Sequence, residues 1–374
     1  MTIHAGKLER WIGKDKIESL QSQMVGWYGP PIHIRDVPGD VFITADGDFV
    51  GNFNGGGFAS ALDQLQGHVR KFWQRVEREK LGKAIFGAGF TSLDDVIARA
   101  SQGFGQKLNG GMVAKTGPTA TAGGASSLWR VGTSPSAGGA GSAAPGGRAP
   151  TSATTGAMKF NNPASGTLHL IGADFSASVV NNAVMLYDRI FDVAKTMNST
   201  ATEAVTGVPT RYQSTTATDP DYIGGNFLFI EVGSPALAAT AHNWTTCTYL
   251  DQANAASTLP SVTGNSAAIV DRFDMPLNTW FCPLEAGDSG IKALTQMQCS
   301  AAVATGAVNF VIGHTIGIMA MPVASPLLPQ SWLSGTDITP RIFDNACLAL
   351  FELPKPTSTA TTYSGVINVC NAAP

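Results

Sequence analysis

The sequence predicts a mainly β protein: a jelly-roll-like antiparallel β-sandwich, preceded by a small hairpin-plus-helix N-terminal region and an extended Gly/Ala/Ser/Pro arm. Three observations carry this. After residue 158, about ten short runs rich in Thr and Val recur between Gly, Pro, Asn and Ser turns. An apolar stripe at helical spacing is confined to residues 58–76. Residues 110–157 are a Gly/Ala/Ser/Pro stretch with too few large apolar residues for a core. The expected organisation is therefore 1–57 (arm with hairpin), 58–109 (helical), 110–157 (extended arm) and 158–374 (sandwich).

Charge divides the chain in the same way. Charged residues are 14% of the 374, against roughly 25% in typical soluble proteins. Residues 1–115 hold 14 Lys/Arg and 12 Asp/Glu; residues 116–374 hold only 10 and 15. A net charge of −3 excludes a broadly basic nucleic-acid coat. A surface with so little charge is prone to associate, so much of it is expected to be covered by other protein.

The elements follow in order. Val41–Ala45 and Asp48–Val50 flank Asp46-Gly47, a hairpin signal, because Asp-Gly accepts the positive φ angles of a tight turn. A calcium loop starting at Asp46 fails, since its fifth position would be Val50. Phe58, Leu62, Leu65, Val69, Phe72 and Val76 recur every three or four residues, as on one helix face or a short coiled-coil seam. A second helix is expected from Ser92, with Asp94 and Asp95 in its first turn, to about Ala100. Within the arm, Trp129 and Arg130 are the expected anchors on a partner, being residue types that dominate interface centres. Strand-like runs then fall at Thr167–Ala177, Ala183–Val193, Asn226–Val232, Trp244–Leu250, Ala268–Phe273, Trp280–Leu284, Ile291–Ser300, Val308–Ile318, Ala346–Leu353 and Tyr363–Val369. In Val308–Ile318, alternation places Val308, Phe310, Ile312, His314, Ile316 and Ile318 on one face.

Searches for chemistry return no catalytic, metal or cofactor assignment. Gly287-Asp288-Ser289-Gly290, with His242 and Asp271 or Asp274 upstream, follows the order of a chymotrypsin-like triad. Only 47 residues separate His242 from Ser289, however, and turn chemistry explains Gly-Asp-Ser-Gly. Asp188, Asp192 and Glu231 are weighed as glycosidase carboxylates and read as turn, edge or rim residues. The six histidines are scattered, and the five cysteines include no C-x-x-C pair and read as buried free thiols. No secretory leader is read in the first residues, and the most apolar stretch, 308–324, is broken by Asn309, His314 and Thr315, short of a membrane span.

Three longer patterns carry a resemblance. They are Leu186-Tyr187-Asp188-Arg189-Ile190-Phe191-Asp192-Val193-Ala194-Lys195-Thr196, continuing to Tyr212; Gly224–Val232; and Trp280–Leu294, leading into Gly306–His314. Together they resemble segments of tailed-bacteriophage virion structural proteins, over about residues 125–355. The resemblance implies a non-enzymatic particle component, located in the virion and most simply a capsid decoration or cement protein. Its implied partners are the major capsid protein or other virion proteins and copies of itself as a trimer or dimer, without specific nucleic acid or membrane. Two alternatives stand beside it: a collar or tail fibre or adaptor trimerised through Phe58–Val76, and a carbohydrate-binding host-attachment module using an exposed aromatic such as Trp332.

Overall fold

The computed structural model describes residues 2–3, 32–34, 41–43, 49–51, 90, 93–119, 121–217, 219, 221–332 and 340–372. The chain divides into two compact units, Met1–Leu81 and Gly82–Pro374. In the first, β1 (Thr2–Ile3), β2 (Ile32–Ile34), β3 (Val41–Ile43) and β4 (Phe49–Gly51) form a sheet in the order β1-β4-β3-β2. Val41, Phe42 and Ile43 pair with Gly51, Val50 and Phe49. The Asp46-Gly47 turn, and Phe58, Leu62, Leu65, Val69, Phe72 and Val76, lie outside the described residues.

The second unit opens with helix α1 (Leu93–Arg99), which continues into one wide turn, Ala100–Phe104. Then come β5 (Gly105–Thr116), β6 (Ser126–Ser127), β7 (Ser142–Ala143), β8 (Leu168–Ala177), β9 (Asn182–Thr196), β10 (Glu203–Ala204) and β11 (Asn226–Val232). The short β12 (Asn243–Trp244), β13 (Thr248–Asp251), β14 (Ala256–Thr258) and β15 (Val262–Thr263) precede β16 (Ile291–Met297) and the long β17 (Ala307–Met321). The chain ends with β18 (Leu328–Ser331), β19 (Arg341–Ile342), β20 (Leu348–Glu352) and β21 (Thr362–Asn371). The fold is mainly β, built of several antiparallel sheets.

The sheet β11-β17-β9-β20-β6 is the middle of the unit. On β9 and β20, side chains alternate between two cores. Val184, Leu186, Leu348 and Leu350 face a core shared with Leu108, Val113, Phe175, Tyr363 and Ile367 of the sheet β18-β8-β21-β5. Met185, Tyr187, Ala349 and Phe351 face a second core with Phe227, Phe229, Tyr249 and Phe273. Burial on both faces explains why these strands read as nearly unbroken apolar runs.

Several expectations change in the structure. The boundary placed between 109 and 110 falls inside β5, since Leu108 and Val113 are both core residues, on either side of a bulge at Asn109-Gly110-Gly111. Ala268–Phe273 and Trp280–Leu284 are not strands. They cap the outer edge of β11 through isolated contacts: Val232 N to Arg272 O (2.7 Å), Asp271 N to Val232 O (2.9 Å), Asp274 N to Ile230 O (2.8 Å) and Cys282 N to Leu228 O (2.7 Å), with a single bridge between Glu231 and Phe273. Nor does β17 keep one face. Its pairing with β9 shifts register at Ile312/Gly313 and again at Thr315/Gly317. Val308, Phe310 and Ile312 therefore lie in one core, Ile316 lies in the other, and Ile318 is exposed. The first shift leaves Ile190 of β9 unpaired; the second leaves Ile316 of β17 unpaired and reverses the alternation of β17 beyond it.

The Gly/Ala/Ser/Pro stretch is laid over its own domain. β7 runs parallel to β9 at Val193–Ala194, beyond the end of β20, and Arg148 exchanges two backbone hydrogen bonds with Asp192, both 2.8 Å. The Trp129 ring is buried beneath Gly138 and Gly156, and its Nε1 donates to Gly139 O at 2.8 Å. A Cβ on Gly138 would overlap the indole, so only glycine admits this contact. Gly146 has no atom near the position its Cβ would take. We expect Gly138→Ala to cost about 1–3 kcal/mol in urea unfolding, the usual penalty of overpacking, while Gly146→Ala stays within about 1 kcal/mol of the wild type.

Candidate functional site: a buried ionic network under a glycine-rich cover

The most chemically dense region lies where β9, β17 and β11 meet. The bulge that breaks register at Ile312/Gly313 leaves Ile190 of β9 unpaired, because Phe191 faces Ile312 and Arg189 faces Gly313. Strict alternation would put Arg189 and Asp192 on opposite faces; the extra residue puts both on one face. Glu231 reaches that face from β11, opposite Asn309 of β17. Arg189 Nε donates to Asp192 Oδ2 at 2.7 Å, and its Nη1 and Nη2 donate to Glu231 Oε2 and Oε1 at 3.2 and 2.6 Å. All three side chains are fully buried.

The cover supplies the remaining partners. Arg148 donates through Nε to Asp192 Oδ1 (3.0 Å) and through Nη2 to Asp192 Oδ2 (2.7 Å). Asn309 Nδ2 donates to Glu231 Oε1 (3.2 Å), and its Oδ1 accepts from Gly141 N (3.0 Å). The Arg189 guanidinium lies 5.0 Å from the centre of the Trp129 ring, a cation–π contact strengthened by desolvation. Two carboxylates hold the charge on Arg189 and raise its pKa against the opposing effect of burial. Burial pushes the neighbouring Tyr187 hydroxyl well up.

A second pair adjoins the first. Arg211 forks onto Asp188 (Nε to Oδ2 2.8 Å, Nη2 to Oδ1 2.7 Å), and the same carboxylate accepts from Cys347 N at 2.8 Å. Lys355 donates to Glu352 (2.8 Å), which also accepts from the Tyr363 hydroxyl (2.5 Å), and Lys195 pairs with Glu203. Asp188, Asp192 and Glu231 are therefore neither rim residues nor a glycosidase pair. Each has both oxygens bonded to a guanidinium, in a sheet covered on both faces. The sequence signal that marks Asp188 and Asp192 is the run of charged residues inside an otherwise apolar strand, Val184–Val193.

The triad order does not become a triad. His242 Nε2 lies 2.9 Å from Asp274 Oδ2 and its Nδ1 lies 2.9 Å from Thr240 O, so both ring nitrogens face acceptors. Two acceptors call for two N–H groups. Burial opposes the charged ring, but Asp274 outweighs it and raises the His242 pKa. Asp274 also accepts from Trp244 Nε1 (2.9 Å), making this a core clamp. Ser289 sits in the turn before β16, where its N–H donates to Gln252 Oε1. His314 stacks on Tyr212 at 3.9 Å and bonds Asn226 Oδ1 at 2.8 Å; burial lowers its pKa to about 4. All five cysteines are free and buried, and burial pushes the Cys347 thiol up to about 12. Among the described residues, no group of His, Cys, Asp or Glu is arranged to hold a metal ion.

Of the expected partner-contact residues, the structure describes two. Trp129 is enclosed by its own chain, while Arg130 is half-buried, its Nε 3.7 Å from Asp271 Oδ1. Trp332 packs against the first core, near Gly317, and Trp280, read as a strand residue, is exposed. Compared with protein-family models, curated proteins and solved structures, the chain matches none of them.

Removing one member of the network leaves Arg189 under-compensated. We expect Asp192→Asn to lose about 3–5 kcal/mol in urea unfolding, with faster amide exchange over Gly141–Arg148. Asp271 behaves in the opposite sense. Burial, then the nearby Glu231, raise its pKa from 3.8 to about 6, against the attraction of Arg130. The folded chain keeps this proton after the unfolded chain has released it, so stability is lost as pH rises from about 4 to 6. Asp271→Asn, which tolerates the left-handed backbone there (φ 71°), is expected to match the wild type below about pH 4. At pH 7 it should exceed the wild type by about 1–3 kcal/mol in paired urea titrations.

Proposed function

We propose that this chain is a non-enzymatic structural protein of a bacteriophage particle, a capsid decoration or cement protein built on a jelly-roll-like sandwich. It assembles as a dimer or trimer against the major capsid protein or another virion protein. One observation carries the reading. Of the charged residues after position 115, the structure describes 24; twelve are buried, five basic and seven acidic. Nearly half of an already small complement of charge is thus turned inward. The described surface beyond residue 115 is left sparse in charge, with Val180, Val208, Val323 and Leu327 exposed. Inter-subunit faces are depleted of Lys, Glu and Asp at their centres, which matches such a surface.

The resemblance to virion proteins read from the sequence motivates the same reading. The segments that carry it are β9, β11, β17 and the turn before β16, which are the middle of the fold rather than its decoration. A protein of this kind acts through covered area, with each buried Å² of apolar surface contributing about 25 cal/mol before ordering costs. Repetition over a shell then multiplies weak contacts into avidity. Mass spectrometry of purified particles tests it. The expected result is this chain at a copy number comparable with that of the main shell protein, and loss of capsid heat resistance when it is deleted. A few copies per particle would place it at a collar or tail instead, and absence from particles would remove the reading.

A further inference from the structure

Among the described residues, Arg272 is a buried cation that meets no carboxylate. Its residue is 6% exposed, its Nη1 donates to Thr121 Oγ1 at 3.0 Å, and its Nε is buried with no partner. Among the described residues no carboxylate pairs with it, whereas Arg189, Arg211, Lys195 and Lys355 each meet one. Burial accordingly lowers the Arg272 pKa. The backbone around it is firmly held, with Phe273 N donating to Ala125 O (3.1 Å) and an isolated bridge from Ser126. A desolvated guanidinium that meets no carboxylate is the group that gains most from an incoming one.

Exposed and apolar residues surround the buried guanidinium. Thr121 and Ala122 beside it are exposed. A Cβ on Gly124 would come within 2.7 Å of Nη2, so glycine keeps room next to the charge. The turn at 276–280 is tied to the same loop by Asn278 N donating to Gly123 O at 2.6 Å. On it Leu277 is 46% and Trp280 39% exposed, and Ile269, in the turn that leads into Arg272, is 40% exposed. Trp and Arg in an apolar setting are the residue types on which interface energy concentrates.

We propose that this surface, comprising Arg272, Thr121, Ile269, Leu277 and Trp280, is a contact between copies of this chain, in which Arg272 receives a carboxylate of the second copy. Charge complementarity selects a second copy. The full chain carries 27 Asp/Glu against 24 Lys/Arg, so each copy offers more carboxylates than cations. The inference names the face used by the oligomer of the preceding reading. Self-association is measured in solution, so it can fail while incorporation into particles holds, and the reverse.

Sedimentation equilibrium of the full chain tests it, with Arg272→Gln and Leu277→Asp as variants. The wild type is expected to self-associate, less strongly at about 0.5 M than at about 0.05 M salt. Each variant should weaken association at least about ten-fold. Arg272→Gln should leave the thermal melt of the monomer unchanged or raised, because it removes an uncompensated charge. A residue with a purely internal role would lower the melt instead. Leu277→Asp changes an exposed side chain and keeps the test valid if Arg272→Gln folds poorly. A wild type that stays monomeric at about 100 μM overturns the proposal, and does so equally if a glutamate-rich peptide binds in an Arg272-dependent way, since the occupant is then another protein. Variants that associate as the wild type does also overturn it.

Discussion

Arg189 carries a full positive charge into the middle of a sheet covered on both faces, where an uncompensated ion would cost several kcal/mol. The surrounding structure is arranged around that requirement. Glu231 reaches it from two strands away, across β17; Asp192 reaches it from three residues along its own strand. The bulge at Ile190 brings both onto one face. Each carboxylate then needs its remaining oxygen lone pairs met, and these are met by Asn309 and by Arg148 from the glycine-rich segment. The cover is thus bound to the domain through polar bonds, with Trp129 as its apolar counterpart over the same guanidinium.

This explains how a segment of Gly, Ala, Ser and Pro acquires a definite path. Composition alone describes a flexible linker. Small residues, however, also allow close approach to a large ring, and Gly138 and Gly156 lie against Trp129 where any side chain would collide. Gly141 donates its N–H directly to Asn309. The segment contributes almost no core of its own; its order is borrowed from the sheet it crosses.

The long strands were legible in sequence because their period and composition are local properties. Asn226–Val232 has the bounds of β11, and Thr167–Ala177 and Tyr363–Val369 fall within a few residues of β8 and β21. β5 was not legible, because Asn109-Gly110-Gly111 reads as a break and only the neighbouring β21 turns it into a bulge within a strand. The two bulges in the β9–β17 pairing were hidden for the same reason: a bulge is a relation between strands, and a single strand does not record it. The ionic network was half visible. Charged residues within an apolar strand marked Asp188, Arg189 and Asp192 as unusual, but Glu231 lies 39 residues beyond Asp192 and Arg148 lies 44 before it. Sequence distance gave no reason to join them. The turning-in of charge was equally hidden, since composition counts charges without saying which way they face.

The sequence by itself determined that the chain is mainly β after a charged N-terminal third, that its charge is scarce beyond residue 115, and that the Gly-Asp-Ser-Gly turn and scattered histidines assemble no motif. These follow from residue types and short-range periodicity, which the chain carries in any conformation. Only the tertiary structure decided which face each strand residue takes, that half of the described charge beyond residue 115 is buried, that the low-complexity stretch is a cover, and that Arg272 meets no carboxylate among the described residues while Arg189 meets two. Those outcomes depend on register and on desolvation, and both exist only once distant segments share one interior.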